Sequence, residues 1–77
     1  MMQELISFIA RSLVDKPDDV QVTVTEEDDT ILVDLVVAKE DLGKVIGKQG
    51  RTARAMRSLL SAAAGKEDKK SRLNILE

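Results

Sequence analysis

The chain has no cysteine, histidine, tryptophan or tyrosine, and its 77 residues include one phenylalanine, Phe8, and one proline, Pro17. Without cysteine there is no disulfide framework and no thiolate metal site. Without histidine, the commonest metal ligand and general base is also missing, so the serines have nothing to activate them as nucleophiles. No pair of carboxylates falls in a recognisable pocket, and neither catalysis nor a cofactor or metal is expected. Nearly free of aromatics, the chain must build an aliphatic core. It also lacks a long apolar run: the first helix-like stretch carries Glu4 and Arg11 and is interrupted by Ser7 and Ser12, which excludes a signal peptide or membrane span and leaves a cytoplasmic protein as the expectation.

What is present is enough for one small domain. The composition is 43% hydrophobic and 34% charged, which supplies a core and a solvated exterior. The net charge of −2 is spread unevenly. Residues 15–41 hold ten acids and two bases, whereas residues 42–57 hold five bases and no acid. An anionic ligand is steered by the local field, so the acidic total does not argue against a nucleic-acid partner.

Met2, Leu5, Ile6, Ile9 and Leu13 recur at helical spacing and predict an amphipathic helix over 2–14. Pro17 ends it. Val20, Val22 and Val24 alternate with polar residues and predict a strand; Glu26 to Asp29 is a solvated turn, without the spacing or glycine of an EF-hand loop; Ile31 to Val37 predicts a second, central strand. A short helix is expected over 39–46 and a longer one from Arg51 to about Ala64, with Ala53, Met56, Leu59, Leu60 and Ala63 inward and Gly65 as its C-terminal cap. Arg72 to Leu76 predicts a closing strand with Leu73 and Ile75 on the core side.

The centre of the pattern is Gly43-Lys44-Val45-Ile46-Gly47-Lys48-Gln49-Gly50-Arg51. Glycines at 47 and 50 let a partner lie against the backbone, the amides opening the next helix are unpaired, and Lys44, Lys48, Arg51, Arg54 and Arg57 add positive charge; together these favour phosphate. The spacing is not that of a P-loop: three residues separate Gly43 from Gly47, and Gln49 stands where a magnesium-binding hydroxyl is needed. A helix-turn-helix is also conceivable, but Ala53, Ala55 and Met56 offer little to read bases. The plainer readings are a tight helix–helix turn for the glycines, ordinary surface for Lys44, a solvated helix face for Arg57, and core positions for Val45 and Ile46.

The run Val45-Ile46-Gly47-Lys48-Gln49-Gly50-Arg51-Thr52 resembles the signature of the KH domain, whose GxxG loop joins two helices. The element order resembles the type II arrangement, and a chain consisting of that domain alone is similar to the small stand-alone bacterial KH proteins of the KhpA (YlqC) family. The resemblance implies an α+β fold spanning residues 1–77, ordered α-β-β-α-α-β, with a three-stranded mixed sheet packed on three helices. It also implies binding of single-stranded RNA, as a post-transcriptional chaperone or regulator. Gly47, Lys48, Gln49 and Gly50 would clamp the backbone, Arg51, Arg54 and Lys44 would add charge, and Val45 and Ile46 would line the groove. The alternative it raises is a protein-interaction module, acting as a homodimer or with a larger KH protein of the Jag/KhpB type. One position departs from the pattern: Ala53 stands where a bulky aliphatic residue is usual.

Overall fold

The computed structural model describes residues 2–76. Helix α1 spans Met2–Leu13 and is followed by a 3-10 turn at Pro17–Asp19; strands β1 (Gln21–Glu27) and β2 (Thr30–Val36) form a hairpin. A second 3-10 turn, Lys39–Asp41, leads into the short helix α2 (Leu42–Ile46); a third, Lys48–Gly50, precedes α3 (Arg51–Gly65), and β3 (Lys70–Leu76) closes the fold. The fold is thus α+β in the expected order α-β-β-α-α-β.

Strand β2 is central, antiparallel to β1 with Val22 opposite Leu35, and parallel to β3 with Val33 opposite Leu73. A parallel neighbour cannot be reached by a tight turn, so the chain must cross over, and α2 and α3 make that crossing. Alternation along β2 sends Ile31, Val33, Leu35 and, just past its end, Val37 against the helices. Ile6 and Ala10 of α1, Val45 of α2, and Met56, Leu60 and Ala64 of α3 complete the aliphatic core. Among the described residues no helix is long and apolar enough to cross a membrane.

Two expectations for α3 are corrected. Leu59, expected inward, is 46% exposed, because the helix turns Met56, Leu60 and Ala64 onto the sheet and leaves Leu59 at the border of that stripe. Gly65 is not the cap either. Helical geometry continues through Lys66, and the left-handed position falls on Asp68 (φ 57°), with Lys69 N–H donating to Ala64 O at 2.9 Å and Asp68 N–H to Gly65 O at 3.1 Å. This is the Schellman pairing, displaced by three residues. Leu5 and Leu13 of α1 likewise lie at the edges of its buried stripe and stay partly exposed.

Candidate nucleic-acid interface

The loop between α2 and α3 is set by two glycines with different reasons for being glycine. At Gly47 (φ 79°, ψ 171°) an added Cβ would lie 2.3 Å from Thr52 Oγ1 and 2.9 Å from the Thr52 backbone nitrogen, so conformation and space both exclude a side chain. At Gly50 (φ 73°, ψ 15°) only the conformation does, since a Cβ would meet nothing nearer than the Arg54 guanidinium at 3.9 Å. Gly47 N–H donates to Gly43 O at 2.9 Å to end α2, and Gly50 N–H donates to Gly47 O at 3.1 Å to tighten the loop. Gln49 is also left-handed (φ 56°, ψ 26°), a conformation costly for a residue with a side chain. Two arginines brace it: Arg51 Nη2 donates to Gln49 Oε1 at 3.3 Å, and Arg54 Nη2 donates to the Gln49 carbonyl.

Lys48, Gln49, Arg51 and Arg54 are all exposed, and no side chain caps the N-terminus of α3. Among the described residues, the lysines in ion pairs are Lys16, Lys44 and Lys69; no ion pair involves Lys48, Arg51 or Arg54. The loop and the first turn of α3 therefore combine unneutralised cations with the positive end of a helix dipole.

Lys44 is differently placed. Its ammonium sits 2.7 Å from Asp15 Oδ2 and 3.5 Å from Asp41 Oδ1. The hydrogen bond to Asp15 raises its pKa, and the two carboxylates together outweigh the lowering effect of burial. Asp41 is the one buried charged residue among those described, 1% exposed. It accepts the backbone N–H of Asp15 at 3.1 Å and of Lys16 at 3.0 Å. Burial alone would raise its pKa, but those two amides and the Lys44 charge more than offset it and hold the carboxyl below the ordinary range. Asp41 thus ties the chain after α1 to the start of α2, immediately ahead of the loop. In sequence it reads only as an acid favoured by a helix dipole, because its partners lie 25 and 26 residues away.

Beside the loop, α3 and the edge strand β3 enclose a cleft of about 440 Å³. Ile46, Ala53, Ile75 and Leu76 supply its apolar lining, and Arg54 and Arg57 its charge. Val45, expected in the groove, is wholly buried in the core; its neighbour Ile46, 37% exposed, presents the surface instead. Ala53 leaves the floor deeper than a branched residue would.

The wall made by β3 is a row of backbone groups. Lys70 N–H donates to Asp29 O and Val37 N–H to Leu76 O, so the backbones of Lys70 and Leu76 face β2. Alternation then turns the backbones of Leu73 and Ile75 outward to the cleft. Consistent with this, Arg57 Nη2 donates to Leu73 O at 3.4 Å. Sequence reasoning missed Arg57, Asn74, Ile75 and Leu76 as cleft residues. Nothing local marks them, because strand and helix meet only after the crossover.

Comparison with known proteins identifies the family and the fold. The profile described as the KH domain of KhpA/KhpB matches residues 3–75. The chain is 52% identical over 75 residues to "RNA-binding protein KhpA" of Clostridium perfringens, covering 97% of this chain and all of that protein. It is 53% identical over 76 residues to the protein of the same description from Listeria monocytogenes, covering 99% of this chain and all of that one. Among solved structures, Era in complex with MgGDPNP and nucleotides 1506–1542 of 16S ribosomal RNA superposes with a TM-score of 0.57 at 18% identity, over 97% of this chain and 29% of Era, which is a likeness of fold. With a profile spanning nearly its whole length and relatives matched from end to end, the chain belongs to the KhpA/KhpB family of KH domains.

Proposed function

We propose that this protein binds single-stranded RNA, with the Gly47–Gly50 loop holding the sugar–phosphate backbone and the α3–β3 cleft taking the bases. The observation that carries the reading is the juxtaposition of Lys48, Arg51 and Arg54, unpaired with any described carboxylate, and an apolar cleft with an open backbone edge. Relatives matched over their full length are named as RNA-binding proteins, which supports the same reading. The lone aromatic, Phe8, lies on α1 away from the cleft lining, so base stacking on a ring is not available there. Base preference would come from cleft shape, Ile46, Ala53 and Ile75, and the backbone groups of Leu73 and Ile75. Such a site suits modest affinity for many transcripts, as a post-transcriptional RNA chaperone or regulator needs.

The test is the double substitution Lys48→Asp with Gln49→Asp, read by RNA affinity at fixed ionic strength, with thermal melting as the control. Both side chains are exposed and both glycines are kept. Like charges facing the phosphates should lower affinity by about two orders of magnitude or more. With Lys48, Arg51 and Arg54 as the phosphate contacts, the parent's log affinity should fall against log salt with a slope of roughly −2. A folded double variant that still binds within a few-fold of the parent would sink this reading.

A second reading, self-association or pairing with a larger KH protein of the Jag/KhpB type, is favoured by exposed apolar residues on the helices: Phe8 is 72% exposed and Leu59 46%. Leu59→Asp should leave the melting temperature within a few degrees. If self-association holds, the variant should shift sedimentation from dimer to monomer; an unchanged dimer or a parent monomer would set self-association aside.

A further inference from the structure

The α3–β3 cleft has a neighbour between the same two elements. Beyond Arg57, Leu73 and Asn74, which line both, lies an adjoining hollow of about 390 Å³. Helix α3 and strand β3 run in opposite directions along it. The sequence of lining residues therefore rises on the helix, from Ala53 to Arg57 to Ser61, while it falls on the strand, from Ile75 to Leu73 to Ser71. From Gly50 to Ser61 the two hollows together flank roughly 16 Å of α3.

The two compartments differ in chemistry. The first is lined by Ile46, Ala53, Ile75 and Leu76 beside Arg54; the second is lined by Arg57, Ser61, Ser71 and Arg72 together with Leu60, Leu73 and Asn74. No carboxylate lines it. None of the described ion pairs involves Arg57 or Arg72. Arg57 has one hydrogen bond, to the Leu73 carbonyl, which leaves most of its five donors available. Ser61 and Arg72 are exposed, Ser71 half-buried. A floor of aliphatic side chains suits bases; two cations and two hydroxyls without an acid suit phosphate and ribose.

We propose that this second compartment is an extension site for the sugar–phosphate backbone of a single strand continuing beyond the segment held by the loop, with Arg72 and Arg57 as its phosphate contacts and Ser61 and Ser71 as its hydroxyl contacts. The proposal rests on the reading of the Gly47–Gly50 loop as the strand's anchor. It makes the functional ligand longer than the roughly four nucleotides that a GxxG loop clamps.

The experiment uses the full chain and fluorescent oligouridylates of about four and about eight nucleotides, with affinity measured across a salt series. The parent should bind the longer strand about tenfold more tightly and with a salt slope steeper by roughly 1.4, since each of the two additional neutralised phosphates adds about 0.7. Arg72→Glu and Ser61→Glu, both at exposed positions, should each remove that advantage and the added slope. Affinity for the short strand should stay within about twofold in both variants. Extra binding registers on a longer strand raise affinity without changing the slope, so the slope is the deciding measurement. A parent slope equal for both lengths would overturn the extension site, as would variants that weaken both strands alike or neither. If the short strand is not bound, or the loop variant Lys48→Asp with Gln49→Asp binds it unimpaired, the anchor reading falls and the extension falls with it.

Discussion

Lys44 and Arg54 stand on opposite sides of one loop and belong to one block of bases in the sequence, yet they meet different surroundings. On the α2 side, Lys44 is held by Asp15 and by Asp41, itself buried under two backbone amides. On the α3 side, Arg54 and Arg51 reach back over Gln49 and find no carboxylate among the described residues. Positive charge on the first side is paired with carboxylates of the protein itself, at an exposed position; on the second it has no described carboxylate partner. Counting charges along the chain cannot separate the two, because the acids that neutralise Lys44 come partly from the far end of α1. The two halves divide the work: α2 is anchored so that α3 can present an open positive terminus.

The comparison can be broken first at the glycines. Gly47→Ala places a Cβ against Thr52 in a left-handed position and should destabilise the fold by about 3 kcal/mol or more, which is 10 °C or more in so small a domain. Gly50→Ala meets only the conformational penalty, about 1–2 kcal/mol. Equal melting temperatures for the two variants would mean that the α2 side of the loop is not the rigid one.

The charges give the next largest effect. Arg54→Ala should lower RNA affinity about tenfold and reduce the salt slope by roughly 0.7, whereas Lys44→Ala should leave the slope unchanged and affinity within about twofold. A matching loss of slope in both variants would collapse the distinction and return Lys44 to the binding surface.

The smallest effect sharpens the account of Asp41. Its folded pKa lies below the ordinary carboxylate value, so its contribution to stability is complete above about pH 4 and is lost as the pH falls through the lowered folded value. Asp41→Asn should therefore melt below the parent at neutral pH. The gap should narrow as the pH drops from about 5 towards 3, with the salt slope of RNA binding unaffected throughout. A gap independent of pH would show that the side chain's shape matters there and its charge does not.

Much of the fold could be read directly from the residues. Valine alternation marked β1, the apolar run marked β2 as central, and Gly47 and Gly50 marked the turn between α2 and α3. The misplacements have different causes. Leu59 was assigned from periodicity, which gives the width of an apolar stripe and not which of its border residues the sheet covers; Gly65 from the preference of glycine for a helix C-terminus; and Val45 from the resemblance to a KH groove, which does not say which of two neighbouring aliphatic residues turns outward. Arg57, Ile75 and Leu76 were missed for the cleft because their meeting depends on how α3 packs along the edge of β3. Asp41 was missed because its partners are backbone amides, and every residue but proline has one.

By itself the sequence determined the order of elements, the aliphatic character of the core and the position of the loop. Those follow from local chemistry: side-chain period, the conformational freedom of glycine, and the barrier proline sets to a continuing helix. Tertiary structure decided which cations are neutralised, which aliphatic residue faces the cleft, and that a second hollow lined by Arg57 and Arg72 adjoins it. These depend on distances between residues far apart in the chain, and such distances exist only once the crossover from β2 has laid α3 against β3.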